Sequence, residues 1–376
     1  MAVSRFRLVT LFAVCFASYV LAEGAVEPSS QLAGLLGSEA DSEFARALEP
    51  RSFTFPEDHG PHPEFRNEWW YVTGNLDDEA GQRFGFELTI FRFALAPTTT
   101  ESNSAWRTNQ VYIAHLAVTD AAGERFYVAQ RYSRGAVGLA GAQVAPFRVW
   151  IDNWEIAEQA NTNDWRLRAS DNDVAIDLEL TASKQPVLNG IDGLSQKSAD
   201  PRNASYYYSI TRLQTEGRVR IGEKEYSVSG LSWLDREWST SALAADQVGW
   251  DWFALQLADG SELMLYELRL SDGSRDPASA GTFVTAGGVA SHLTASDVEI
   301  TVLDDWVSTE GGTYPSRWLL RIPSFDLELT VTPVISDQEL FTIVRYWEGA
   351  VDVTGVRGGH RVDGRGYVEL TGYAAD

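Results

Sequence analysis

Cysteine is almost missing from this chain: Cys15 is the single one in 376 residues. It lies inside an N-terminal apolar run, so loss of that run leaves no thiol, no disulfide and no zinc-thiolate site. Histidine is scarce as well, five in all. No Gly-x-Ser-x-Gly elbow occurs, and no Ser or Thr stands with His and Asp in a triad-like context, which leaves a classical serine hydrolase without support. Gly-rich phosphate loops are absent, arguing against nucleotide and nicotinamide cofactors, and no cofactor is expected. Bases are few against 53 acidic residues. Past the N-terminus no apolar run approaches the ~20 residues that span a bilayer.

What is present begins with an export signal over residues 1–22. Arg5 and Arg7 form a basic head, and an apolar run from 8 to 20 ends in Val20-Leu21-Ala22. Small residues stand where a signal peptidase needs them, and the run is too short for a membrane anchor. Phe12-Ala13-Val14 lacks the small residue that a lipoprotein box places just before its cysteine. The expected product is exported, periplasmic or secreted, and soluble after cleavage. Removing 22 residues leaves 354, more than one hydrophobic core usually supports, so two domains are expected. Without Arg5 and Arg7 the mature chain sets 53 acids against 28 bases, a net charge of −25. Such a body repels nucleic acid and anionic headgroups, and neither is an expected partner. Residues 23–47 are small, acidic and weakly patterned, a leader or tether in which Leu32, Leu35 and Leu36 hint at one short helix.

From Phe53 onward, short alternating segments are punctuated by turn residues every ten to fifteen positions. Strands are predicted at 69–76, 84–93, 111–118 and 126–132 in the first half, and at 250–257, 263–270, 346–353 and 366–373 in the second. The turns Asp77-Asp78-Glu79-Ala80-Gly81, Ala121-Ala122-Gly123 and Ala258-Asp259-Gly260 close hairpins. Helical periodicity is nearly missing. The strand-turn-strand theme in both halves points to an all-β fold of two antiparallel barrels, which also removes exposed strand edges. The boundaries are drawn at 48–238 and 239–376. Thirteen Trp, 14 Tyr and 17 Phe suit strands, and also suit a barrel that receives an apolar ligand.

Several segments together resemble the family of carotenoid 1,2-hydratases (hydroxyneurosporene synthases) and its AttH-like relatives, often described as predicted secreted hydrolases. They are Phe55-Pro56-Glu57-Asp58-His59-Gly60-Pro61-His62-Pro63, Glu68-Trp69-Trp70-Tyr71-Val72-Thr73-Gly74-Asn75-Leu76, Ser232-Trp233-Leu234-Asp235-Arg236-Glu237-Trp238, Trp250-Asp251-Trp252-Phe253 and Tyr346-Trp347-Glu348-Gly349-Ala350-Val351. The resemblance spans about 50 to 376. It implies two lipocalin-like (calycin) barrels side by side, a hydrophobic pocket and, in the hydratase branch, cofactor-free addition of water to an isoprenoid double bond. Where the carotenoid enzymes carry an Asp-His-Asn-Trp-Gly type stretch, this chain has Asp235-Arg236-Glu237-Trp238-Ser239. The exchange of histidine for Arg236 makes the AttH-like branch the closer fit.

Asp235 and Glu237 are the first candidate catalytic pair, because two residues apart on a strand they share a face, flanked by Trp233 and Trp238. Two carboxyls in an aromatic surround cannot both ionise comfortably, so one should hold a proton fit for an alkene. The structural alternative pairs Glu237 with Arg236 or another base in an ordinary ion pair that closes a barrel loop. His59 is a candidate proton shuttle with a pKa near neutral. His62 beside it suggests a metal pair, but Pro61 stiffens the loop and no third histidine is near; no metal is expected, and the loop reads better as a pocket rim. Trp69, Trp70, Tyr71, Trp233, Trp238, Trp250, Trp252 and Tyr266 are the candidate ligand-binding aromatics. Trp69, Trp70 and Tyr71 cannot all point inward on a strand, so one side of the triplet should meet the other barrel. Asp251 should turn outward if Trp250 and Trp252 face the interior. The leading reading is an exported protein that binds an apolar lipid or isoprenoid and performs acid/base chemistry on a double bond. The alternatives are a non-catalytic carrier, with an envelope transporter as candidate partner, and an envelope protein with a filled core.

Overall fold

A computed structural model describes residues 43–98, 103–159, 162, 164–241, 243–342 and 345–373. The expected export signal and nearly all of the expected leader, including the short helix anticipated there, lie outside the described residues. The first sheet is built from β1 (Asn67–Asp78), β2 (Arg83–Ala94), β3 (Gln110–Asp120), β4 (Arg125–Arg134), β5 (Ala140–Gln143), β6 (Arg148–Ile151), β7 (Trp154–Glu158), β8 (Trp165–Ser170), β9 (Val174–Ala182), β10 (Val187–Leu188), β11 (Leu194–Gln196), β12 (Ala204–Ile221) and β13 (Lys224–Ser239). The second contains β14 (Gln247–Leu257), β15 (Glu262–Leu270), β16 (Ala280–Val284), β17 (Ala290–Thr294), β18 (Glu299–Val307), β19 (Thr313–Ile322), β20 (Leu327–Pro333), β21 (Glu339–Phe341), β22 (Arg345–Arg357) and β23 (His360–Thr371). All pairings are antiparallel, and the described residues include no α-helix.

Connectivity forces both sheets to curl. The first runs β4-β3-β2-β1-β13-β12-β9-β8-β7-β6-β5, with its edge strands β4 and β5 joined by residues 135–139. Such a link reaches about 20 Å at most, whereas eleven flat strands would be about 48 Å across. The sheet therefore rolls into a nearly closed barrel, and β4 comes against β6. The second sheet runs β17-β16-β15-β14-β23-β22-β20-β19-β18, and residues 295–298 join its edges. It forms a half-barrel beside the first. In each unit a four-strand meander comes first in sequence, and the opening strand pairs with the closing one: β1 with β13, β14 with β23.

The interiors fill as alternation dictates. One residue parity of β1, β2, β12 and β13 packs Trp70, Val72, Leu88, Tyr208, Leu234 and Trp238 into the first core. Phe253, Leu255, Trp318, Val351 and Val368 pack the second. A third apolar cluster lies where the two units meet and contains Tyr71, Tyr207, Trp233, Trp252, Met264, Tyr266, Ala350 and Tyr367. The contact there is close: a Cβ placed on Gly85 of β2 would stand 2.6 Å from the Ala350 Cβ of β22. Hydrogen bonds also cross it, among them Asn75 Nδ2 to the Gly366 carbonyl at 3.0 Å and Gln256 Nε2 to the carbonyls of Thr211 and Ser232 at 2.8 and 3.0 Å.

Candidate functional site between the barrels

β1 and the C-terminal half of β13 are buried on both faces, one in the first core and one against the second unit. The second face carries the acids. On β13 the odd residues Trp233, Asp235 and Glu237 point to it, level with Thr73, Tyr71 and Trp69 of β1. Glu87 of β2 stands opposite Thr73. On the far side Glu348 of β22 is paired with Glu369 of β23, and Glu369 in turn with Trp252 of β14. Five carboxyl groups, four of them buried and Glu369 half-buried, thus face one another across aromatic rings.

Their partners differ. Asp235 accepts from the Tyr207 hydroxyl at 2.5 Å, the Ser209 hydroxyl at 2.5 Å and Trp233 Nε1 at 2.7 Å. Burial lifts its pKa to about 6 even against those three donors. Glu237 pairs with Lys197 Nζ at 3.2 Å, and this ammonium lies over the rings of Tyr266 and Tyr207 at 4.1 and 5.0 Å. Glu369 accepts from Trp250 Nε1 at 3.0 Å. Burial, reinforced by Asp235 and Glu237, nonetheless raises its pKa to about 8. Burial pushes Glu87 and Glu348 well above the usual carboxylate range, and repulsion among the three glutamates adds to it. One oxygen of Glu87, one of Glu348 and the hydroxyls of Tyr71 and Tyr367 are buried without a well-formed hydrogen bond, Tyr71 and Glu348 making at best a loose contact with each other. Clustered carboxyls of this kind titrate as a group, and at neutral pH the group retains protons.

Trp69, Tyr71, Trp233, Trp250, Trp252 and Tyr266 all belong to this shared face, with Trp69 and Trp250 at its partly exposed margin. Trp70 and Trp238 do not; as even-numbered residues of β1 and β13 they turn into the first core, where Arg236 stacks 4.0 Å over Trp70. Arg236 is not the base that pairs with Glu237, a place taken by Lys197. Arg236 and Arg92 form ion pairs with fully buried Glu68, and Arg236 donates to the Gly60 carbonyl at 2.6 Å. Burial would raise the Glu68 pKa, but the two guanidinium groups outweigh it and hold this carboxyl well below its usual range. His62 is stacked flat on Trp238 at 3.8 Å and contacts Asp58 at 3.0 Å, locking the loop before β1 onto the same network.

His59 lies in the first barrel as well, its Nδ1 2.6 Å from the Tyr208 hydroxyl. Burial and nearby Arg236 lower its pKa to about 4, so the near-neutral value expected for a shuttle does not hold. The alternation around Asp251 is correct but inverted: Trp250 and Trp252 face the other barrel, while Asp251 points into its own, bonded to Arg269 at 3.1 Å and to Tyr373. Glu87, Glu348, Glu369 and Tyr367 were not among the candidates drawn from sequence. Their signal was a lone acid within an otherwise apolar and aromatic strand, as in Phe86-Glu87-Leu88 and Val368-Glu369-Leu370.

A family model described as AttH-like matches residues 46–373. The crystal structure of an AttH protein from Nitrosomonas europaea is 34% identical, with a TM-score of 0.79, over 88% of this chain and 100% of that one. Kievitone hydratase from Nectria haematococca shares the fold at a TM-score of 0.65 and 16% identity, covering 90% of this chain and 98% of its own. CghA does so at 0.54 and 11%, over 89% and 97%. A search of curated protein sequences returns no match.

Proposed function

The chain belongs to the AttH-like family, and from that premise we propose that it performs cofactor-free acid/base chemistry on an apolar, unsaturated lipid or isoprenoid held between its two barrels after export. The observation that carries this reading is the group formed by Glu87, Glu348 and Glu369, carboxyls kept protonated by burial and by each other among Tyr71, Trp252 and Tyr367. A carboxylic acid in that state gives its proton to a carbon-carbon double bond. The π electron pair forms the new C–H bond, the O–H electrons stay on the carboxylate, and the more substituted carbon becomes cationic. Aromatic faces stabilise such a cation by about 1–2 kcal/mol each when water is excluded. Water then adds as its proton passes to a base, or a neighbouring carbon loses a proton and the double bond moves. The sequence pointed to Asp235 as donor. With three donors already on its carboxyl, Asp235 suits the acceptor's task better, and above pH about 6 it is ionised for it. Kievitone hydratase, a hydratase on the same fold, makes water addition the first reaction to test.

The test is incubation of the purified protein with a trisubstituted isoprenoid alkene in deuterated water, with mass spectrometry of the products. Deuterium should enter the carbon skeleton, and Glu369→Gln should slow this by about 100-fold or more, the usual weight of a general acid. A Glu369→Gln protein as fast as the parent removes the acid from the mechanism. Native mass spectra that show intact co-purified lipid and no turnover support carriage instead.

A further inference from the structure

Two phenols and two carboxyl oxygens stand buried on this shared face without a well-formed hydrogen bond: Tyr71 and Tyr367 through their hydroxyls, Glu87 and Glu348 through one Oε2 each. A buried polar group without a partner costs about 1–3 kcal/mol, so four in one place need a reason. They come from four strands of both units. Tyr71 lies on β1, and Glu87 on β2 is one rung away, opposite Thr73. Tyr367 lies on β23, and Glu348 on β22 is one rung from Ala350, the partner of Tyr367. Each unit thus presents one phenol and one acid. Glu348 and Tyr71 are close enough for the phenol to lower the Glu348 pKa as a hydrogen-bond partner, but the contact falls short of a well-formed bond and leaves the Tyr71 hydroxyl able to turn to a better acceptor.

Phenols donate, and a protonated carboxyl donates. Tyr207 and Trp252 Nε1 nearby are already committed, Tyr207 to Asp235 and Trp252 to Tyr207 at 3.2 Å. What these four groups lack is a shared acceptor. Charge decides which acceptor. Five carboxyls face the site, and Lys197 is tied to Glu237, so an anionic ligand would meet repulsion from every ionised acid. A phenol beside a carboxylic acid kept neutral by its surroundings is an arrangement able to hold a carbonyl oxygen as negative charge develops on it.

Resting on the reading of the site as an apolar pocket between the barrels, we propose that the ligand's polar end is a neutral carbonyl or phenol oxygen received by Tyr71 and Tyr367, and that the site rejects carboxylates and phosphates. The favoured class is therefore an apolar ketone, enone or phenol rather than a free fatty acid or a prenyl diphosphate.

Four probes with one ring system separate these cases: naphthalene, 2-acetylnaphthalene, 2-naphthol and 2-naphthoate, each titrated into the intact protein at neutral pH and followed by fluorescence or calorimetry. The ketone and the phenol should bind about tenfold tighter than naphthalene, the value of one well-made hydrogen bond, and naphthoate should bind more weakly than naphthalene. Tyr71→Phe and Tyr367→Phe should each shrink the advantage of the ketone over naphthalene while leaving naphthalene itself unchanged. That internal reference also reports whether the variant is folded. Naphthoate bound as tightly as the ketone, or no advantage of the oxygen-bearing probes over naphthalene on the parent protein, overturns the proposal. Because the readout is equilibrium binding, oxygen selectivity without turnover of any alkene retains the pocket and removes only the acid chemistry.

Discussion

At the residue scale, the acids of the shared face differ in what holds them. Asp235 is wrapped by donors, so Asp235→Asn should leave at least one of Ser209, Tyr207 and Trp233 without an acceptor. The expected loss is about 1–3 kcal/mol in urea unfolding. Glu369 is governed by burial instead, and its pKa of about 8 lies above the ~4.3 of an unfolded glutamate. Below pH ~4 both states hold the proton and the shift has no effect on stability. Between ~4 and about 8 the unfolded chain gives the proton up while the folded chain keeps it, so stability falls as pH rises and levels off beyond. Glu87, Glu348 and Asp235 act with the same sign. Urea midpoints should therefore drop from pH 5 to pH 8, and Glu369→Gln should flatten that slope; an unchanged slope would show that Glu369 ionises normally. If Glu369 delivers the proton, turnover should also fall above pH about 8, and this arm should vanish in Glu369→Gln.

At the scale of strands, alternation was legible wherever one face meets a core. The predicted segments 84–93 and 111–118 extend in the structure to Arg83–Ala94 and Gln110–Asp120, and 126–132 to Arg125–Arg134. The site was less legible because β1 and the C-terminal half of β13 have no solvent face to give the period a phase. Trp69-Trp70-Tyr71 reads as continuous apolar sequence, and nothing local says that Trp70 enters the barrel while its neighbours leave it. For the same reason Trp233 and Trp238 read alike as aromatics flanking Asp235, although Trp233 shares its face and Trp238 turns into the first core. Glu348 and Glu369 escaped because their meaning depends on Glu87, more than 250 positions away and on the other sheet. The β1–β13 pair also carries the Glu68 network, whose depressed pKa has the opposite sign: its stabilisation is present above the unfolded glutamate pKa and is lost as pH falls further. Glu68→Gln would strand Arg92 and Arg236 in the core at a cost of about 3–5 kcal/mol. A loss under 1 kcal/mol by chemical denaturation would mean the two guanidinium groups find other partners.

For the whole molecule, the question is why two barrels should behave as one body. Each alone would leave aromatic and acidic side chains of the shared face in water, and the contact is stitched at its rim as well. Fully buried Glu262 of β15 takes Lys184 at 2.6 Å and Arg212 at 2.5 Å, both from the first unit. Asp77 meets Arg365, and Arg83 meets Asp352. Between these ties the units approach closely only because Gly85 has no side chain where Ala350 presents its methyl group. Gly85→Ala should force the faces apart and cost about 1–3 kcal/mol, the usual range for overpacking. The added methyl would clash most with Ala350, at 2.6 Å, and crowd Thr119 less, at 3.2 Å, so Ala350→Gly should recover part of the loss in the double variant. The double-mutant cycle should then depart from additivity by at least 0.5 kcal/mol. An additive cycle would show that the first barrel absorbs the methyl alone, and that the spacing of the acids across the interface is not set at Gly85.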